Sequence, residues 1–186
     1  MSSIDDRWSV GVQEYDTAVL TEIYDALSPE LYRYAYRLLG HRQAAEDTLA
    51  ETFLRFLRIL HSGGGPTLHV RAYLYRILHN LAMDSHRRGV PGQDDLDAVV
   101  IPAEDADPLH SAAANISADQ ARSALWRLTS GQRQVLVLRY FQGLNLDEIA
   151  FVVEKPVGAV KALQHRGINA LRRIMQREHG WEIGET

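Results

Sequence analysis

Apolar residues recur at steps of three and four through most of this chain, and strict apolar–polar alternation is nowhere sustained. Helices repeat every ~3.6 residues and strands every ~2, so this spacing restricts the fold to helices packed on helices. In "LTEIYDALSPELYRYAYRLLG" the stripe is Leu20, Ile23, Tyr24, Leu27, Leu31, Tyr34, Ala35 and Leu38. Ser28-Pro29 has the form of an N-cap and first-turn proline, so two helices are expected to meet there, with Gly40 as the C-terminal stop. "AAEDTLAETFLRFLRIL" places Ala45, Leu49, Phe53, Phe56, Leu57 and Leu60 on one face. "HSGGGPTLH" breaks into a loop, and "VRAYLYRILHNLAMDSHRR" resumes with Leu74, Ile77, Leu78, Leu81 and Ser85 inward.

A second helical block follows a gap. Val90 to Ser117 holds three prolines, many acids and no basic residue, with little to bury beyond "AVVI", and reads as a linker. Beyond it, "ISADQARSALWRL" has Ser117 and Asp119 near a helix start and turns Ala121, Leu125 and Leu128 inward. Thr129 or Ser130 caps the next helix and Gly143 ends it. The expected fold is all-α: two small helical lobes joined by a flexible acidic linker.

The formal charge of −4 conceals segregation. Residues 31–90 carry nine Lys and Arg against four Asp and Glu, and residues 122–177 carry ten against three. Residues 1–30 and 91–121 each hold seven acids, with one basic residue and none respectively. Phosphate binding depends on local basic surface rather than total charge, so an acidic chain can still touch nucleic acid through two basic blocks.

The more basic block ends in "LNLDEIAFVVEKPVGAVKALQHRGINALRR", which has the pattern of a helix-turn-helix. Ala150 is the small residue where two helices cross, and Val160, ten residues on, packs back. Leu146, Ile149 and Val153 line the first helix inward; Val160, Leu163, Gly167 and Leu171 line the second. Pro156 suits the start of the second helix, whose free amides near Lys155 and Val157 can meet a phosphate. Lys161, Gln164, His165 and Arg166 point outward, long and polar enough to reach base edges in a major groove. Glu154 stands where such turns most often carry glycine, which predicts a strained left-handed residue or a different turn. The competing reading is a helical hairpin that merely packs.

The first block offers another surface. Tyr73, Arg76, Asn80, Asp84 and Arg87 share the face opposite the core stripe of their helix, flanked by Tyr75, His79 and His86. Aromatic rings stack on bases, cations follow phosphates, and an amide can bond an extruded base, a combination suited to unpaired strands. A solvated amphipathic face with half-buried tyrosines accounts for the same residues.

Three segments together resemble the extracytoplasmic-function (ECF) group of bacterial RNA polymerase sigma factors in the sigma-70 family. "AAEDTLAETFLRFL" is similar to that family's AED-x-x-x-E-x-F helix, and "RAYLYRILHNLAMDSHRR" to its WLYRIARNLAIDxxRR helix, with Tyr73 where tryptophan is common. "LTSGQRQVLVLRYFQGLNLDEIA" with "PVGAVKALQHRGINALRR" is similar to its C-terminal domain. The resemblance implies sigma region 2 over residues 20–89, a linker over 90–121 and region 4 over 122–177, with an extension 1–19 and a tail 178–186 outside the motifs. It implies that Asp47, Glu51, Phe53 and Arg55 meet the clamp helices of the largest polymerase subunit, while region 4 meets the flap of the second-largest. Tyr73, Arg76, Asn80, Asp84, Arg87 and Arg88 would hold the −10 strand open, with Asn80 near a flipped base, and Lys155, Val157, Lys161, Gln164, His165 and Arg166 would read the −35 duplex. Promoter DNA, core polymerase and an anti-sigma protein are the partners it implies.

Other classes fit less well. The eight histidines are scattered without metal-binding spacing, and "GGGPT" lacks the lysine of a phosphate loop, so no catalytic residue, metal or cofactor is expected. No apolar run is long enough to span a bilayer, the first residues are acidic, and cysteine is absent, which together suit the cytoplasm. An autonomous helix-turn-helix regulator acting without polymerase would need a dimerisation or ligand-sensing element, and neither is visible.

Overall fold

The computed structural model describes residues 4–67, 69–87 and 123–179. The linker, Arg88, the tail beyond residue 179 and the expected helix start around Ser117–Ala121 lie outside them. Every regular element among the described residues is helical: α1 (Ile4–Gln13), α2 (Thr17–Leu39), α3 (Arg42–His61), α4 (Val70–Arg87), a short turn at 123–126, α5 (Ser130–Leu136) running into a π-helical turn (Val137–Phe141), α6 (Leu146–Val153) and α7 (Val157–His179).

Local chemistry sets the boundaries. The Asp16 carboxylate accepts from the Ala18 amide at 2.8 Å and starts α2; Gly40, at φ 71°, ends it by donating its N–H to the Tyr36 carbonyl. Asn145 and Glu148 form a reciprocal capping box on α6, with Asn145 Oδ1 accepting from the Glu148 amide and Glu148 Oε2 from the Asn145 amide. The expected break at Ser28-Pro29 does not occur: Pro29 lies inside one continuous helix. An interior proline costs ~3 kcal/mol. Leu27, Leu31, Tyr34 and Leu38, all buried along one stripe that a break would misalign, contribute ~1.5–3 kcal/mol each and outweigh it.

α2, α3 and α4 pack as one helical unit, and α5, α6 and α7 as another. The two units rest on each other, with α4 against α6 their broadest contact. One buried cluster runs through both, joining Ile23, Leu31, Phe56, Leu74 and Leu78 to Val137, Leu138, Leu144, Ile149, Val152 and Val160. A smaller cluster gathers Leu125, Leu128 and Leu136 over Ile168, Leu171 and Ile174 of α7.

α1 has no counterpart among the sequence-derived expectations. It folds Trp8 and Val12 into the first unit, and Trp8 Nε1 donates to Glu22, which also pairs with Arg7. Gly11 permits this approach, because a Cβ there would sit 2.6 Å from the Val19 side chain. Gly11→Ala is therefore expected to push α1 off α2 and lower stability by about 1–3 kcal/mol, read as a shifted urea midpoint and faster protease cleavage near residue 13.

Candidate nucleic-acid interface

The helix-turn-helix is built by α6 and α7. Ile149, Val152, Val153 and Val160 are buried and Ala150 and Leu163 partly so, which fixes the crossing of the two helices. The reversal turns on Glu154, at φ 53° and ψ 46°, so of the two possibilities the sequence left open the turn takes the left-handed one. The amides of Glu154 and Lys155 both return to the Ala150 carbonyl, and the Pro156 carbonyl accepts from Ala159 and Val160. α7 thus begins at Val157, with Pro156 just before it.

Lys155, Lys161, His165 and Arg166 are exposed, Val157 is half-buried, and positions 161 and 165 lie one turn apart on one face. Gln164 is engaged, donating from Nε2 to the Tyr140 hydroxyl at 3.0 Å. Asn169 lies 3.4 Å from the His165 ring, and Arg166 bonds back to the Ala162 carbonyl. The basic side chains therefore stand along an open helix face next to the free amides of its first turn.

The α4 surface is less open than its periodicity suggests. Tyr75 and His79, expected beside the polar face, are buried. Tyr75 donates to Gln142 Oε1 at 2.8 Å, and the Tyr34 hydroxyl lies 2.9 Å from His79 Nδ1. Burial raises the Tyr34 and Tyr75 phenols and pushes the His79 imidazole down to about 4. Tyr34 therefore keeps its proton beside a neutral His79, and the two share one buried hydrogen bond. Both residues leave the face because the second helical unit packs over that edge of α4.

Tyr73 is half-buried, its ring centre 6.2 Å from that of Phe56. Arg76 reaches Glu154 Oε1 through Nη2 at 2.6 Å and Nε at 2.8 Å, with its guanidinium 4.7 Å from the centre of the Phe151 ring. Asn80 Nδ2 approaches the same oxygen at 3.4 Å. These donors, Arg76 first, hold the Glu154 carboxyl below its ordinary range. Asp84 is half-buried; the Arg87 side chain and Arg88 lie outside the described residues.

On α3, Asp47 is exposed and accepts from Gln43, while Glu51 lies between Arg55 and Arg58 at 3.6 and 3.3 Å. Phe53, expected on this outer surface, is turned inward against Tyr24, with ring centres 4.8 Å apart. The stripe stated for α3 already contained it, and the apolar groups presented outward beside it are Leu54 of α3 and Tyr24 of α2, each half exposed, so Tyr24 leaves the inward stripe expected of it. Among the described residues no His, Asp and Glu cluster could hold a metal, and no helix is long and apolar enough to cross a membrane.

Two helical units, one carrying a helix-turn-helix with a basic second helix and the other an aromatic and cationic helix, are the arrangement of a helix-turn-helix protein of the DNA-binding class. Comparison with known proteins narrows the class. Residues 23–90 match the Sigma-70 region 2 family and residues 124–173 the Sigma-70, region 4 family. The ECF RNA polymerase sigma factor SigW of Bacillus subtilis is 32% identical over 176 residues, covering 89% of this chain and 93% of its own. BldN of Streptomyces coelicolor, another ECF sigma factor, is 33% identical over 158 residues; the match covers 82% of this chain and 59% of BldN. Among solved structures, CnrH in complex with the cytosolic domain of CnrY superposes with a TM-score of 0.72 at 20% identity, over 95% of this chain and 99% of that one. The sigma factor RpoE in complex with the anti-sigma factor NepR from Bartonella quintana gives 0.64 at 21%, over 86% and 98%. The chain belongs to the ECF sigma factors of the sigma-70 family.

Sequence reasoning did not find the residues that join the two units: Arg71, Tyr75 and Gln142, and Glu154 as a partner of Arg76. The one visible signal was Glu154 at a position that favours glycine.

Proposed function

We propose that this chain binds core RNA polymerase, carries it to promoters by reading a −35 duplex with α7, and captures the unpaired −10 strand on α4. Region 2 would take residues 20–89 and region 4 residues 122–177. The observation that carries this reading is the presence in one short chain, in the family's order, of two chemically different surfaces. The α7 face is cationic beside free amides, which suits duplex backbone and groove; the α4 face combines Tyr73, Arg76 and Asn80, which suits splayed bases. Melting costs about 1.4 kcal/mol of stacking per base-pair step, and each base stacked on an aromatic ring returns roughly 1–3 kcal/mol. Capture plus polymerase contacts can offset that cost with no bond made or broken, so the chain acts as an initiation factor rather than an enzyme. The outer surface of α3, with Asp47, Glu51 and Arg55, would seat on the polymerase clamp and region 4 on the flap. This work belongs in the cytoplasm. Since RpoE and NepR form a complex, an anti-sigma partner covering these same surfaces is part of the reading.

Run-off transcription with purified core polymerase tests it. Lys161→Ala and Arg166→Ala are expected to weaken −35 duplex binding, each lowering the slope of log affinity against log salt by about 1 where a phosphate contact is lost. Asn80→Ala and Tyr73→Ala should leave closed complexes intact and slow strand opening, followed by permanganate reactivity of unpaired thymines. The same defect from both pairs would refute the division of labour. Tight operator binding with no redirection of polymerase would favour the autonomous regulator instead.

A further inference from the structure

One side chain on the α7 recognition face is held by a residue from another helix. We propose that Tyr140 is a positioning residue for Gln164. It keeps the Gln164 amide with its carbonyl oxygen outward, so that this point of α7 selects a base carrying an amino group, adenine or cytosine, over the keto bases guanine and thymine. The inference rests on the sigma-factor reading and deepens it, naming the chemical class that one position of the −35 duplex must present.

Three observations carry it. The first is the contact itself. Gln164 Nε2 donates to the Tyr140 hydroxyl at 3.0 Å, across 24 positions of chain. A glutamine amide ends in an acceptor and a donor, and turning about its last bond exchanges them. With Nε2 on the hydroxyl, Oε1 is turned away from it. Adenine N6 and cytosine N4 donate into the major groove, whereas guanine O6 and thymine O4 accept. An outward oxygen therefore finds a partner on an amino base and faces another acceptor on a keto base.

The second is the backbone that delivers Tyr140. α5 runs into the π-helical turn Val137–Phe141, closed by the Gln142 amide on the Val137 carbonyl at 3.2 Å. A π turn holds an extra residue and so re-aims its side chains relative to a continuing α-helix. Phe141 goes to Arg37 of α2, whose guanidinium lies 4.6 Å from the ring centre, and Tyr140 goes to α7. Gly167, one turn beyond Gln164, keeps α7 close against α5, since a Cβ there would sit 3.1 Å from Leu136 Cδ1. The Tyr140 ring stays exposed, so burial does not account for its place and the hydroxyl contact does.

The third is position. Gln164 is half-buried, three residues after Lys161 and next to His165, both exposed. It therefore stands at the inner edge of the cationic face, within the same turn of helix. A group held there before binding presents one fixed atom to the groove and loses less freedom when a base arrives.

The test uses holoenzyme assembled from the full-length chain and core polymerase, offered duplexes of randomised sequence, with the bound ones counted base by base. The parent chain should show one position where adenine and cytosine on one strand exceed guanine and thymine about tenfold, the loss expected when a desolvated acceptor goes unpaired. Tyr140→Phe keeps the exposed ring, removes one oxygen and lets the amide turn over. It should cut that preference to under about twofold while leaving the other positions unchanged. Gln164→Glu presents an oxygen whichever way it turns, so adding it to Tyr140→Phe should restore the preference, at lower overall affinity for the phosphates. A structural role alone would lower affinity at every position alike and would not be rescued. An undiminished preference in Tyr140→Phe, a uniform loss, a keto preference in the parent, or a Gln164→Ala profile identical to the parent's would each overturn the assignment. A chain that neither selects duplexes nor supports run-off initiation defeats the sigma-factor reading. One that initiates normally on a selected sequence indifferent to Tyr140 defeats the positioning role alone.

Discussion

Val160→Asp is expected to abolish duplex binding and to destabilise the fold by about 4 kcal/mol. Val160 is fully buried in the first turn of α7, in the cluster that also holds Ile149, Val152 and Val153. A carboxylate there must either ionise in an apolar environment or stay protonated with unsatisfied oxygens, and both are costly. The crossing of α6 and α7 depends on this contact, so Lys161, His165 and Arg166 would lose their common alignment with it. Urea denaturation and fluorescence anisotropy on a promoter duplex check the two halves of the prediction. The comparison with Lys161→Ala is diagnostic: that exposed residue should lose affinity with its urea midpoint unchanged. If Val160→Asp kept the midpoint, the packing assigned to this turn would be wrong.

Acidification is expected to remove about 2 kcal/mol of stability between pH 7.5 and pH 5, with His79 as the main cause. Burial holds the folded imidazole at about 4, against an ordinary value near 6.5 once the chain unfolds. Between those values the unfolded chain binds the proton and the folded chain does not, so stability falls as pH drops through 6.5 and stops falling below about 4. The groups around His79 act as follows. Burial is the largest cause, Glu154 opposes the depression, Lys155 adds to it, and Tyr34 faces Nδ1 at 2.9 Å. Glu154, held below its ordinary range by Arg76 and Asn80, contributes stability above that range and loses it as pH falls through its folded value. That loss has the same sign but a more acidic window. Guanidinium unfolding of the parent chain and of His79→Phe over this pH range separates them: the variant should keep its stability from pH 7.5 to 5. An equal slope in both would remove His79 as the cause.

The helices were legible because their signals are local. Gly40, Asn145 and Gly143 act on neighbours within a turn, and the apolar stripes of α2, α3, α4 and α7 need only a helical repeat to be seen. Pro29 misled for the same reason: its local preference marks a helix start, while the buried stripe crossing it decides otherwise. Trp8 and Val12 sat in a segment too short and too acidic to announce a helix, and α1 exists because Gly11 lets it lie against Val19. Phe53 shows a different failure, in which a residue read as part of the core stripe was also placed on the docking surface that a family motif implied.

The sequence by itself determined the all-helical class, the helix-turn-helix with its basic second helix and the family. Each of these is written in residues a few positions apart, where spacing alone settles which side chains meet. Only the tertiary structure decided that α4 lies under α6, that Tyr75 and His79 are interior, and that Glu154 reaches Arg76 across 78 positions of chain. Contacts at that separation depend on how two apolar surfaces exclude water together, and no local periodicity encodes which surface will cover which.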